Sequence, residues 1–159
     1  MRAAVVTVST TRSAGTATDE SGPALAHAVK QHGGTVVFEQ LVTDDEQQIR
    51  QLLITLADGG ECNLILTTGG TGFSPSDVTP EATLSVIERS APGIAEALRA
   101  VSLAHTPFAM LSRGVAGMRG PVLIVNFPGS VVACEQCFEV LAPVLDHALT
   151  LLAGGESRH

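Results

Sequence analysis

The chain has 159 residues, enough for one ordinary core, and 45% of them are hydrophobic with only five aromatics, all Phe, so Val, Leu, Ile and Ala must fill the interior. A net charge of −7, a single lysine (Lys30), eight arginines in no cluster and the absence of Trp and Tyr argue against a nucleic-acid partner. No apolar run approaches the roughly 18 residues a membrane span needs, and Met1 leads straight into an apolar run without a basic start or cleavage site. Neither membrane nor signal peptide is expected, and a cytoplasmic location is.

Strand-like and helix-like segments alternate, which predicts an α/β protein with a largely parallel sheet. The first strand is expected over 3–9. A helix over 22–32 follows, with Ser21 as cap, Leu25, Ala28 and Val29 on its inner stripe, and Gly33-Gly34 at its end. Thr35 to Leu41 reads as the second strand. Ile49, Leu52, Leu53 and Leu56 fall at helical spacing over 46–57. A third strand, 63–67, runs into a glycine-rich loop. The third helix is expected from Pro80, capped by Thr79, to a break near Ala91-Pro92-Gly93. A further helix covers 93–104, and Phe108 to Leu111 suggests a short strand. Val122 to Val125 is a buried strand, and a long helix covers 131–152 with a kink expected at Pro143. Residues 1–153 read as a single domain and 154–159 as a short flexible tail. Mean hydropathy is positive, +0.30, which points to apolar surface buried between subunits.

Thr68-Gly69-Gly70-Thr71-Gly72 closes the third strand, and Asp77-Val78-Thr79-Pro80-Glu81 opens the next helix. Glycines let backbone N–H groups approach phosphate oxygens, threonines add hydroxyl donors, and a nearby carboxylate suits Mg²⁺. The loop reads as an anion cradle or as a plain strand-to-helix turn. It is not a Walker loop, since no Gly-Lys-Ser/Thr follows, and the spacing does not give a dinucleotide fingerprint. Asn126-Phe127-Pro128-Gly129-Ser130 forms a second strand-to-helix loop, an anion site or an ordinary start capped by Ser130. Asp45 makes a capping box with Gln48 and also suits a metal. Asp77 suits an Asx turn or a metal or substrate role. Arg113 and Arg119 are candidates for contacts to a phosphate or a planar heterocycle such as a pterin, or surface arginines. Cys134 and Cys137, one helical turn apart, read as core packing, because no second pair or His cluster supports zinc.

Four motifs in order carry a resemblance that spans nearly the whole chain: Thr67 to Gly72, Asp77 to Thr83, Leu111-Ser112-Arg113 with Gly114 to Gly117, and Val125 to Ser130. Together with Asp19 to Leu25 they resemble the MogA/MoaB-like molybdenum cofactor biosynthesis family, which includes gephyrin G domains. The resemblance implies a three-layer α/β sandwich, the molybdopterin-binding fold, assembled as a homotrimer. It implies molybdopterin adenylyltransferase activity: AMP passes from MgATP to the molybdopterin phosphate, with release of pyrophosphate. Molybdopterin and ATP are then the partners, Mg²⁺ the cofactor, and a metal-insertion protein the recipient of the product. The family's catalytic, metal-binding acids match Asp45 and Asp77, its glycine loop Thr68 to Gly72, its pterin-side serine Ser112, and its second loop Pro128 to Ser130. Three departures stand out. Ser9-Thr10-Thr11-Arg12 replaces a common Ser-Asp-Arg, Val131-Val132-Ala133 stands where many relatives place a lysine, and Asp44 replaces a common proline. The first departure favours the alternative, a MoaB-like molybdopterin-binding protein without efficient adenylyl transfer.

Overall fold

The computed structural model describes residues 1–156. Its strands are β1 (Arg2–Val8), β2 (Thr35–Val42), β3 (Leu64–Thr68), β4 (Arg89–Ser90), β5 (Ala116–Arg119) and β6 (Val122–Phe127). They form one sheet in the order β2-β1-β3-β6-β5-β4. The first four positions are parallel, and β5 and β4 add an antiparallel edge. Every residue of β3 and β6 is buried, as a strand covered on both faces requires.

The helices are α1 (Thr10–Ser13), α2 (Ser21–Gln31), α3 (Glu46–Asp58), α4 (Thr79–Leu84), α5 (Pro92–Leu103) and α6 (Val131–Leu152). Alternate strand residues feed two cores, as the period of two dictates. Val5, Leu66 and Val125 face Leu25 of α2, Leu98 of α5 and Phe138 and Leu145 of α6. Val6, Ile65 and Ile124 face Ile49 and Leu53 of α3 and Ala82 of α4. The result is the expected three-layer α/β sandwich with a mostly parallel sheet. Among the described residues no helix is long and apolar enough to cross a membrane.

Several local expectations are corrected. The third helix ends at Leu84, because the chain turns back to pair Arg89 with Met118 and Ser90 with Gly117. Gly117 permits that approach: a Cβ there would lie 2.7 Å from the Arg89 carbonyl oxygen. Pro107–Leu111 is a 3-10 helix rather than a strand, started by Thr106, whose hydroxyl accepts from Phe108 N at 3.3 Å. The cap position of α4 is Val78, and Thr79 donates its hydroxyl to the Gly69 carbonyl at 2.9 Å. The start of α2 is served by Asp19, whose carboxylate accepts from Gly22 N, and not by Ser21. The long helix α6 covers Val131–Leu152 as expected, with Pro143 inside it. In the expected tail, Gly154 and Gly155 hydrogen-bond back to Leu151 and Thr150, and 157–159 lie outside the described residues.

Candidate functional site

β1, β3 and β6 lie side by side and parallel, so the loops at their C-terminal ends converge on one edge of the sheet. The chain goes from β1 to β2 on one side and returns to β3 on the other. That reversal opens the crevice where α/β sheets bind ligands. Gly69 and Gly70 both have positive φ, 92° and 63°. A Cβ on Gly69 would sit 2.4 Å from the Val8 carbonyl oxygen, and one on Gly70 2.4 Å from Thr79 Oγ1. Glycine is therefore required for the loop to pass between the end of β1 and α4.

The second loop lies against the first. Thr68 donates its hydroxyl to the Pro128 carbonyl at 2.7 Å, and the Cys134 thiol donates to the same oxygen at 3.0 Å. Burial pushes the Cys134 thiol up to about 12, so it stays a neutral donor. Both Cys134 and Cys137 are buried, as expected for core residues. On the outer side Arg12 donates to the Gly129 carbonyl at 3.4 Å and to Ser21 Oγ at 3.0 Å.

A cleft of about 380 Å³ opens beside these loops. Gly69 to Gly72, Asp77, Ser112 and Pro128 to Ser130 line it, together with Arg99 and Ser102 of α5. The N–H groups of Gly70, Thr71, Gly72, Gly129 and Ser130 donate to no partner among the described residues. Five unpartnered N–H groups on residues that line one cleft are donors of the kind an anion takes.

Asp77 serves its turn: Oδ2 accepts from Ser74 N at 3.0 Å, while its own N–H donates to the Ser74 carbonyl at 2.9 Å. Oδ1 accepts no hydrogen bond among the described residues. Asp45 caps α3, with Oδ1 accepting from Gln48 N at 2.8 Å and Oδ2 left open. The capping box is only half made, because Gln48 Oε1 accepts from Thr43 instead. Asp44 accepts from both N and Oγ1 of Thr10, at 2.7 and 2.8 Å, which fixes the β1 loop beside Gly70. Among the described residues no three acidic, His or Cys side chains gather into an all-protein metal site.

Thr68, Asp45 and Arg113 do not line the cleft. Arg113 instead donates to the carbonyls of Gly72 and Asp77, each at 2.7 Å, and pairs with Glu81. Its guanidinium holds the Glu81 carboxyl below the ordinary carboxylate range. Arg119 grips Asp58 with two bonds of 2.8 and 2.9 Å and does not reach the cleft. Sequence reasoning missed Arg99, and it read Asn126 and Phe127 as loop, whereas both belong to β6. Asn126 is buried, donates to Thr67 and Thr83 hydroxyls at 2.9 Å each and accepts from Val115 N at 3.2 Å. Its signal was an amide inside an otherwise apolar strand. Arg99 carried only a weak signal, a charge beside a helical apolar stripe.

A family model described as "Probable molybdopterin binding domain" matches residues 4–147. The chain is 41% identical over 135 residues to the molybdenum cofactor synthesis protein cinnamon of Drosophila melanogaster, covering 84% of this chain and 22% of that protein. It is 35% identical over 152 residues to a molybdopterin adenylyltransferase of Helicobacter pylori, covering 94% of this chain and 86% of the relative. Among solved structures, the molybdopterin biosynthesis enzyme MoaB of Thermus thermophilus superposes with a TM-score of 0.91 at 41% identity, over 99% of each chain.

Proposed function

The chain belongs to this molybdopterin-binding domain family, and on that premise we propose that it is a molybdopterin adenylyltransferase of molybdenum cofactor biosynthesis. The observation that carries the reading is the set of open N–H donors on residues that line one cleft together with a carboxylate, Asp77. Gly70, Thr71 and Gly72 hold the nucleotide phosphates. Ser112 and the Pro128 loop hold the pterin.

A phosphate monoester is itself a nucleophile, so the protein must chiefly align two polyanions and neutralise their charge. An oxygen of the molybdopterin phosphate forms a bond to the α-phosphorus of ATP, the α–β bridging P–O bond breaks, and pyrophosphate leaves. Arg113 keeps the glycine loop and the Asp77 turn in register for this alignment. Asp77 keeps one carboxylate oxygen open at the cleft, which fits Mg²⁺, an ion that takes one or two protein carboxylates and completes its shell with water and phosphate; Asp45, which lies outside the cleft lining, keeps one open oxygen as the candidate second acid. Bound there, Mg²⁺ would offset the triphosphate charge. The three buried free thiols fit a reducing compartment, and the cytoplasm is the proposed location. A homotrimer that hands its product to a metal-insertion protein completes the reading.

Incubation with molybdopterin, ATP and Mg²⁺ followed by mass spectrometry tests it, and adenylyl-molybdopterin is the expected product. Asp77→Asn should bind pterin normally and lose turnover by about a hundredfold or more. Normal turnover in that variant removes Asp77 from the mechanism. The second reading, a pterin carrier without efficient transfer, is favoured by Ser9-Thr10-Thr11 after β1 and predicts pterin binding with no adenylylated product.

A further inference from the structure

Two charged side chains line the cleft, Asp77 near the glycine loop and Arg99 on α5. The neighbouring arginines already have carboxylate partners: Arg12 has Asp19 at 3.8 Å, and Arg113 has Glu81. Arg99 has none among the described residues. Its Nη1 donates to the Gly114 carbonyl at 2.7 Å and to the Ser112 carbonyl at 3.4 Å. Its Nε and Nη2 donate to no group among the described residues. The wall around it is apolar, with Leu98, Ala109 and Leu111. A half-buried guanidinium with an open fork and no counter-charge is a receptor for a planar or tetrahedral oxyanion.

We propose that Arg99 binds the phosphate monoester of the pterin substrate in a bidentate manner, through Nε and Nη2. The proposal rests on the placement of the pterin beside Ser112 given above. On that reading two phosphates enter this cleft, and two sets of donors line it. The open N–H groups of Gly70 to Gly72 stand with Asp77 and take the nucleotide. Arg99 touches the Ser112–Gly114 loop and takes the other phosphate. One guanidinium thus fixes both the loop that carries Ser112 and the group that attacks.

The test measures equilibrium binding of molybdopterin, and separately of ATP with Mg²⁺, to the parent chain, Arg99→Gln and Arg99→Lys. Arg99→Gln is expected to weaken pterin binding about tenfold to a hundredfold, the worth of a charged hydrogen bond. ATP binding should stay unchanged, and Arg99→Lys should recover part of the loss. Added salt should weaken the parent's pterin binding more than that of Arg99→Gln. Parental pterin affinity in Arg99→Gln overturns the proposal. Equal loss of both ligands also overturns it, because a loosened 112–114 loop would act on the glycine loop through Arg113. If Arg99→Gln does not fold, Arg99→Lys decides: weaker pterin binding with normal ATP binding supports the fork, and parental affinity for both ligands overturns it. Binding is read apart from turnover, so Arg99-dependent pterin binding without adenylyl-molybdopterin removes the transferase reading and leaves this assignment standing.

Discussion

An arginine beside a glycine loop invites reading as an anion contact, yet Arg113 uses its donors on the carbonyls of Gly72 and Asp77 and on Glu81. Arg119, raised for the same reason, grips Asp58 away from the cleft. Arg99, which sequence spacing did not single out, is the one among the described residues that faces the cleft with an open fork. Residue type alone does not separate these cases, because a guanidinium's role is set by whichever acceptors the fold brings to it. Glycine is more legible. At Gly69 a side chain would need a φ of 92° and would meet the Val8 carbonyl at 2.4 Å. Gly69→Ala should therefore cost about 2–4 kcal/mol, combining backbone strain with overpacking. Urea unfolding measures it, and a parental midpoint would show that the loop is not held there.

Among the elements, the long periodic segments of α2, α3 and α6 follow their sequence spacing, since one apolar stripe per helix is enough to define them. The short ones do not. Two residues of β4 carry no period, and their pairing exists only because β5 supplies an edge. Pro107–Leu111 is too short for its apolar character to distinguish strand from 3-10 turn. Caps are a useful point of separation between fold and chemistry. Asp45→Ala should destabilise by about 1 kcal/mol through loss of the α3 cap, while Asp45→Asn should keep the cap. Both remove the charge, so both should lose adenylyl transfer if Asp45 holds Mg²⁺. Parental transfer by Asp45→Asn, alongside the loss in thermal stability of Asp45→Ala, would leave Asp45 as a cap alone.

At the scale of the molecule, one edge of the sheet gathers loops that lie far apart in the chain. Arg12 meets Gly129 across 117 positions, and Thr68 meets Pro128 across 60. The outer face of α6 leaves Val140, Val144 and Leu151 exposed, an apolar stripe that suits burial against a second copy. Sedimentation should give three chain masses at micromolar concentration, and Val144→Asp should lower that mass. A monomer in both cases would remove the trimer. The sequence by itself determined the alternation of strands and helices, the two loops at strand ends and the candidate acids, because periodicity, glycine and helix caps act over a few neighbouring residues. Only the tertiary structure decided that Arg113 braces a loop while Arg99 faces the cleft, and which backbone donors stay open. Those outcomes depend on acceptors supplied by distant segments, which no local pattern encodes.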